Sequence, residues 1–119
     1  MLSNINYQIW FKVCRPLKRK YNLSTNCVLV LNGAYVLYMT THKGFTLRSL
    51  QNFASYYSPV KIKGYIRVLV DRSFITLAGA WKTRQLYTIS ELGIQVIKEL
   101  NESYQEQLII FCNKYNIEL

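Results

Sequence analysis

The chain has 119 residues and a formal net charge of +9, with 15 lysines and arginines against 6 acidic residues. Half of the residues are apolar, which excludes a wholly disordered chain and is enough for one domain with a buried core. The excess of positive charge favours a polyanionic partner, which could be a nucleic acid or an anionic membrane surface.

The sequence offers little for catalysis, metal binding or membrane insertion. It has a single histidine, His42, and three cysteines without CxxC spacing, so we expect no zinc site, no cofactor and a reduced, cytoplasmic setting. None of the motifs GxSxG, HExxH, GxGxxG or the P-loop occurs, and we expect no enzymatic activity. The longest apolar run, residues 27–39, is too short to cross a membrane, and the N-terminus lacks the pattern of a signal peptide.

Two helices are predicted in the first third of the chain. Residues 4–21 carry apolar side chains at helical spacing in a strongly basic stretch. Pro16 lies inside this helix and predicts a kink or a break, because proline removes a backbone hydrogen bond. Ser24 or Thr25 then caps a second helix that ends near Thr40 and is apolar on nearly all sides, which indicates a buried central helix.

The next segment has the pattern of a helix-turn-helix. Thr46 caps a short third helix over residues 47–55. Ser58 followed by Pro59 opens a fourth helix in the preferred order of cap residue and proline. The fourth helix is apolar on its inner side and basic on its outer side, as in a recognition helix, which we place at residues 59–72.

A β-hairpin is predicted directly after the recognition helix. Residues 74–77 and 85–89 have strand character, and the turn between them contains a glycine and two basic residues. A hairpin in this position is typical of a wing, here residues 78–85.

A long amphipathic helix ends the sequence. Ser90 caps it, and Glu91 lies in its first turn, where the helix dipole favours an acid. Its apolar residues follow a heptad seam for three repeats, and a helix from residue 90 to 115 would be about 39 Å long, which suggests a partner helix. The predicted dimer interface combines residues of the first and the last helix: Trp10, Leu17, Ile97, Asn101, Tyr104, Leu108, Phe111 and Tyr115.

Three segments match the pattern of one protein family. Residues 58–75 (SPVKIKGYIRVLVDRSFI) fit its recognition helix, residues 90–93 (SELG) fit the opening of its long helix, and residues 15–31 (RPLKRKYNLSTNCVLVL) fit the link between its first two helices. Together they resemble the MarR family of winged-helix transcriptional regulators over roughly residues 10–100.

The sequence departs from that family at three points. Ser73 stands where the family has a glycine, and Lys82 and Arg84 lack the acid of the family's Asp-x-Arg wing motif. The chain also ends sooner, so the dimerisation region would consist of the first helix and a single terminal helix, which is similar to the PadR relatives.

The resemblance implies a mainly α-helical α+β fold: a winged helix-turn-helix with a small β-hairpin and a long C-terminal dimerisation helix. We expect a single domain over residues 1–119. Within it, residues 1–22 would hold the N-terminal helix, residues 24–89 the winged helix-turn-helix core, and residues 90–117 the C-terminal helix.

The function implied is a homodimeric transcriptional regulator that binds double-stranded DNA at a specific sequence. The recognition helix would lie in the major groove and the wing on the adjacent backbone or minor groove. The residues expected to contact DNA are Thr46, Arg48, Lys61, Lys63, Gly64, Arg67, Lys82 and Arg84. A small-molecule effector is compatible with the family, although nothing in the sequence indicates one.

Two other functions stay open. The absent wing acid and the apolar Val60 and Val68 on the groove face favour a non-enzymatic interaction or structural module that docks a larger assembly through its long helix. A membrane-surface protein is less favoured, because the basic residues are spread over a globular fold and are not gathered on one amphipathic helix. Cys14 lies between basic residues on the apolar stripe of the first helix and is either a redox-sensing thiol or a buried structural cysteine.

Overall fold

The computed structural model describes residues 2–55 and 57–117, and it describes side chains from Gln8 onward apart from Tyr56 and Trp81. The elements in chain order are α1 (Leu2–Tyr21), α2 (Thr25–Thr41), α3 (Leu47–Phe53), α4 (Pro59–Asp71), β1 (Ile75–Trp81), β2 (Arg84–Ile89) and α5 (Glu91–Lys114). The strands form one antiparallel hairpin. This architecture confirms the predicted fold class, a mainly helical α+β fold with a long C-terminal helix.

The chain is organised as two compact units. Met1–Thr25 and Lys98–Leu119 form the first unit, which contains α1 and the larger part of α5. Asn26–Ile97 forms the second unit, which contains α3, α4, the hairpin and nearly all of α2.

Helix α1 continues through Pro16, where the sequence predicts a kink or a break. Ile9, Val13 and Leu17 are all buried and follow one another at four-residue intervals, so the apolar face is continuous on both sides of the proline. Burying these side chains contributes about 1.5–3 kcal/mol each. That gain offsets the roughly 3 kcal/mol cost of a proline inside a helix.

Helix α2 is the central helix of the second unit, as its composition predicts. Val28, Val30, Leu31 and Ala34 are completely buried.

No single helix in the described part of the chain is long and apolar enough to cross a membrane. The helix pair Gln8–Tyr21 and Thr25–Thr41 meets that test only when the two helices are taken together.

Side-chain caps define the starts of α3 and α4. Thr46 Oγ1 accepts a hydrogen bond from the Ser49 amide at 3.2 Å, and Ser58 Oγ accepts one from the Lys61 amide at 3.3 Å. Both caps confirm the predictions, and Pro59 occupies the start of α4 as expected. Helix α3 is shorter than predicted, because it ends at Phe53 instead of residue 55.

Helix α4 ends in a Schellman motif that requires a left-handed residue at Ser73. The Phe74 amide donates to the Leu69 carbonyl at 2.9 Å, and the Ser73 amide donates to the Val70 carbonyl at 3.0 Å. Ser73 has a φ of 66°, a conformation that glycine adopts without the steric cost that a Cβ brings. This geometry supplies a physical reason for a glycine at the corresponding position of the family that the sequence resembles.

We therefore expect Ser73→Gly to stabilise the chain by about 0.5–1 kcal/mol, because it removes the left-handed strain. Urea denaturation followed by circular dichroism would measure the change in the free energy of unfolding. Ser55→Gly changes the same residue type at an exposed site after α3 and serves as the control. A Ser73→Gly variant less stable than the wild type would contradict the expectation.

The hairpin is longer and its turn tighter than the sequence predicts. The strands pair from Ile75 with Ile89 to Trp81 with Arg84, so the turn consists of Lys82 and Thr83 instead of residues 78–84. The register shifts between Leu77 and Ala80, where Gly79 adopts a φ of 98°. The glycine that was predicted for the tip therefore lies in a β-bulge within β1, since it supplies the positive φ that this bulge uses.

Candidate nucleic-acid interface

Helix α4 presents a mixed apolar and basic outer face. Ile62, Ile66 and Leu69 are buried, and this inner stripe fixes the rotation of the helix. On the opposite side, Val60, Gly64 and Arg67 follow one another at four- and three-residue spacing, and all three are exposed. Val60 is 81% exposed, which leaves its isopropyl group available to a ligand. We call this stripe, with Lys61 and Lys63 on its two flanks, the α4 outer face.

The α4 outer face is carried by a rigid support within the second unit. Helix α4 packs against α3 and against β1. Helix α3 in turn lies close to α2, since a Cβ on Gly33 would come within 3.2 Å of the side chains of Leu50 and Phe53. A helix held in this way can place its exposed side chains reproducibly, which binding to a groove requires.

A second group of predicted residues meets at a depression of about 220 Å³ beside the hairpin. Thr46 and Arg48 line it from α3, and Arg84 and Tyr87 line it from β2. Phe45 joins the two sides, because its amide and carbonyl both form 2.8 Å hydrogen bonds with Tyr87. The structure therefore brings the predicted DNA contact Arg84 next to two others, Thr46 and Arg48, that are far from it in sequence.

Thr46 and Lys82 have particular local roles in these elements. The Thr46 hydroxyl caps α3 and lies 3.1 Å from Ser49 Oγ, so it already has hydrogen-bond partners within the chain. Lys82 lies in the hairpin turn with a φ of 57° and an exposed side chain. Whether either residue contacts DNA stays a prediction, as it does for the other six residues.

The predicted dimer residues differ in their accessibility. Leu17 and Ile97 are buried in the chain's own core. Asn101 and Tyr115 are exposed, and the remaining side chains are partly buried, namely those of Trp10, Tyr104, Leu108 and Phe111. Phe111 and Tyr115 contact each other with ring centroids 4.7 Å apart.

The structure also exposes apolar residues that the heptad seam does not include. Phe11 is 58% exposed on α1, and Ile109 and Ile110 are 50% and 49% exposed on α5. Ile110 shares a depression of about 290 Å³ with Phe111 and Tyr115. The unbroken apolar run over residues 108–112 was the sequence signal for this surface, because a helix cannot bury five consecutive side chains on one narrow seam.

Cys14 has the properties of a structural thiol. It is 2% exposed, and burial raises its pKa from 9.0 to about 11. Because the thiolate is the reactive form, a raised pKa makes this thiol unreactive near neutral pH. The described residues contain no group of three histidine, cysteine or acidic side chains that could hold a metal ion.

The raised pKa of Cys14 predicts a loss of stability at alkaline pH. The unfolded chain loses the Cys14 thiol proton near pH 9, and the folded chain loses it near pH 11. The stability that the protonated, buried thiol contributes is therefore fully present below pH 9 and is lost as the pH rises from 9 to 11. We expect the wild type to lose more stability between pH 8.5 and 10.5 than Cys14→Ala does, as measured by urea denaturation at each pH. Parallel pH curves for the two proteins would contradict this expectation.

The fold is similar to that of solved bacterial regulators. MepR of Staphylococcus aureus, a transcription regulator of the multidrug efflux pump MepA, superposes with a TM-score of 0.76 at 14% sequence identity, over 95% of this chain and 80% of that one. The S. aureus MarR in complex with salicylate and kanamycin gives a TM-score of 0.75 at 16% identity, over 94% of this chain and 72% of that one.

A MepR–DNA complex from S. aureus is also similar, with a TM-score of 0.68 at 13% identity over 95% of this chain and 79% of that one. No protein-family model matches the sequence, and no curated protein matches it. At these identities the likeness concerns the fold, and the chain has the winged-helix fold of the MarR-family regulators.

Proposed function

We propose that this protein is a homodimeric transcriptional regulator that binds double-stranded DNA at a specific sequence. The α4 outer face would enter the major groove, and the hairpin would lie on the adjacent backbone or minor groove. The single observation that carries the proposal is the combination on α4 of exposed basic side chains with an exposed glycine, Gly64, that has open space beside it.

The chemistry of the α4 outer face matches the edges of base pairs. Arg67 and Lys63 can donate hydrogen bonds to guanine O6 and N7, and Val60 can contact the methyl group of thymine. Gly64 has no atom within 4 Å of the place where a Cβ would stand, so the helix backbone there can approach a groove closely. In the sequence, Val60 favours the interaction module because it is apolar. Contact with a thymine methyl group gives the same side chain a role in DNA recognition.

The depression that contains Arg48 and Arg84 supports backbone contacts beside the groove. Both side chains are exposed and line the same depression. A guanidinium group binds phosphate oxygens through two parallel hydrogen bonds. Phosphate contacts position a protein on DNA without specifying the sequence, whereas base contacts specify it. We therefore assign positioning to Arg48, Arg84 and the hairpin turn, and sequence preference to α4.

Dimerisation would use the exposed apolar side chains of the first unit. Phe11, Ile109, Ile110 and Tyr115 are each about half exposed, and Ile110 and Tyr115 line one depression. Large apolar side chains exposed together at a surface mark interaction sites. Leu17 and Ile97 are omitted from the proposed interface because they already pack inside the chain.

The proposal is tested with a duplex selected by the protein from a random 30-bp pool. We expect Arg67→Gln to weaken binding to the selected duplex about 10-fold, because one base contact is worth about 1–3 kcal/mol. The ratio of the affinity for the selected duplex to that for a random duplex should fall as well. Lys98→Gln removes one exposed charge on α5 and is the matched control. Equal losses for the two variants would contradict a base contact by Arg67.

A second candidate function follows from the exposed apolar residues of the first unit. An interaction module would use Ile109 and Ile110 to dock a larger assembly and would tolerate changes on α4. Failure of the random pool to yield any preferred duplex, with a chain that is folded by circular dichroism, would favour this function over DNA recognition.

A further inference from the structure

Helix α1 carries a cluster of positive charge that the proposed function does not use. Lys12, Arg15, Pro16, Arg19 and Lys20 line a depression of about 650 Å³ in the first unit. Lys12, Arg15 and Arg19 are three and four residues apart, so they follow one helix face over about 10 Å. All three side chains are exposed. We call these three residues the α1 basic face.

In the described part of the chain, the charges of the α1 basic face have no acidic partner, whereas the charge of the neighbouring Lys20 is paired with an acid. Lys20 Nζ forms an ion pair with Glu99 Oε1 at 3.0 Å, and a separate depression places Lys20 with Glu99 and Glu102. Within the described residues, Lys12, Arg15 and Arg19 have no acidic partner. Three like charges along two helical turns repel one another, and an anionic ligand relieves that repulsion.

The chemistry of the cluster favours phosphate groups of a nucleic acid over a membrane surface. Two of the three cations are arginines, whose planar guanidinium groups bind phosphate oxygens through paired hydrogen bonds. A helix that binds a bilayer inserts an apolar face opposite its charged face. In α1 that opposite face is formed by Ile9, Val13 and Leu17, which are already buried in the first unit.

We propose that the α1 basic face is a second nucleic-acid surface, which binds the phosphate backbone of double-stranded DNA without sequence preference. The choice of DNA as the polyanion rests on the proposed function, but the surface belongs to the first unit and does not involve α4. Its contribution is to hold the protein on DNA of any sequence, which raises the overall affinity and its dependence on salt.

The test compares two double variants of the full chain that each lower the net charge from +9 to +7. Arg15→Gln/Arg19→Gln removes two charges from the α1 basic face. Lys18→Gln/Lys98→Gln removes two exposed charges that lie outside the depression, one of them on α1 itself. Binding to a random-sequence 30-bp duplex is measured by fluorescence anisotropy between 50 and 200 mM NaCl, with circular dichroism confirming the fold.

We expect the slope of log affinity against log salt to fall in magnitude by about 2 for each chain bound in the Arg15/Arg19 variant and to be unchanged in the Lys18/Lys98 variant. The preference for a selected duplex over the random one should stay as in the wild type. An equal fall in the two variants would show a general effect of charge and would overturn the proposal, as would no fall in either.

Two further measurements separate the alternatives. If the Arg15/Arg19 variant keeps the wild-type slope on DNA but loses binding to phosphatidylserine vesicles, the face is a membrane surface and the proposal is wrong. If Arg67→Gln has no effect while the Arg15/Arg19 variant shows the reduced slope, the proposed function fails and the α1 basic face stands.

Discussion

Gly93→Ala is expected to destabilise the chain by about 3 kcal/mol, the upper end of the cost of overpacking a core. A Cβ at this position would overlap the Phe74 carbonyl oxygen and come within 2.7 Å of Ile89 Cγ1. The carbonyl cannot move away freely, because it accepts hydrogen bonds from the Ser90 amide at 3.0 Å and from Ser90 Oγ at 2.9 Å. Thermal unfolding followed by circular dichroism should show a midpoint roughly 12 °C lower.

Gly64→Ala is the matched control, since it adds the same methyl group to another helical glycine. Nothing lies within 4 Å of a Cβ built on Gly64. Alanine is the better helix former by about 1 kcal/mol, so this variant should be more stable than the wild type. The opposite signs of the two changes are the essential result. A Gly93→Ala variant as stable as the wild type would show that the close approach of α5 to Phe74 is not maintained.

Ile110→Glu is expected to weaken the proposed homodimer by about 2–4 kcal/mol, which corresponds to a 30- to 1000-fold rise in the dissociation constant. Ile110 is 49% exposed and lies in the depression with Phe111 and Tyr115, which Lys12 and Lys114 also line. A carboxylate there would lose its hydration when a second copy covers it, and pairing with a lysine offsets that loss only in part. Light scattering at 20–50 µM should give a dimer mass for the wild type and a monomer mass for the variant.

The control for dimerisation is Gln95→Glu, which adds the same charge at an exposed site on α5. It should keep the dimer mass. Because Ile110 is half exposed in the single chain, the glutamate variant should also keep its helical circular-dichroism signal. Two outcomes would count against the interface: a dimer that tolerates Ile110→Glu, and a wild-type chain that is monomeric at these concentrations.

Local sequence patterns predicted most of the secondary structure because the relevant interactions are local. At Thr46, Ser58 and Ser90 the side-chain oxygen accepts a hydrogen bond from the backbone amide three residues further along the chain, and all three helix starts were predicted correctly. The continuity of α1 through Pro16 and the length of the hairpin depend on burial and cross-strand pairing, which involve residues distant in sequence. The predicted break at Pro16 and the predicted length of the hairpin were therefore wrong.

The candidate interface shows the same division. The basic side of α4 follows from helical spacing, since a buried stripe at Ile62, Ile66 and Leu69 leaves Arg67 on the outside. The meeting of Arg48 with Arg84 depends on the pairing of Phe45 with Tyr87, which no local pattern indicates. Likewise, the heptad seam assigned the buried Ile97 to the dimer interface and left out the exposed Ile110, because periodicity gives a direction but not the extent of the core.

The pairing of Phe45 with Tyr87 also determines how the sheet is protected from association with other chains. Strand β2 has β1 on one side and Phe45 on the other, so its outer backbone groups are occupied next to Tyr87. The open edge of the hairpin is that of β1, and the bulge at Gly79 interrupts its regular row of amides and carbonyls. Irregular edges pair poorly with other strands. The bulge therefore lets the protein expose a hairpin without offering a template for edge-to-edge aggregation.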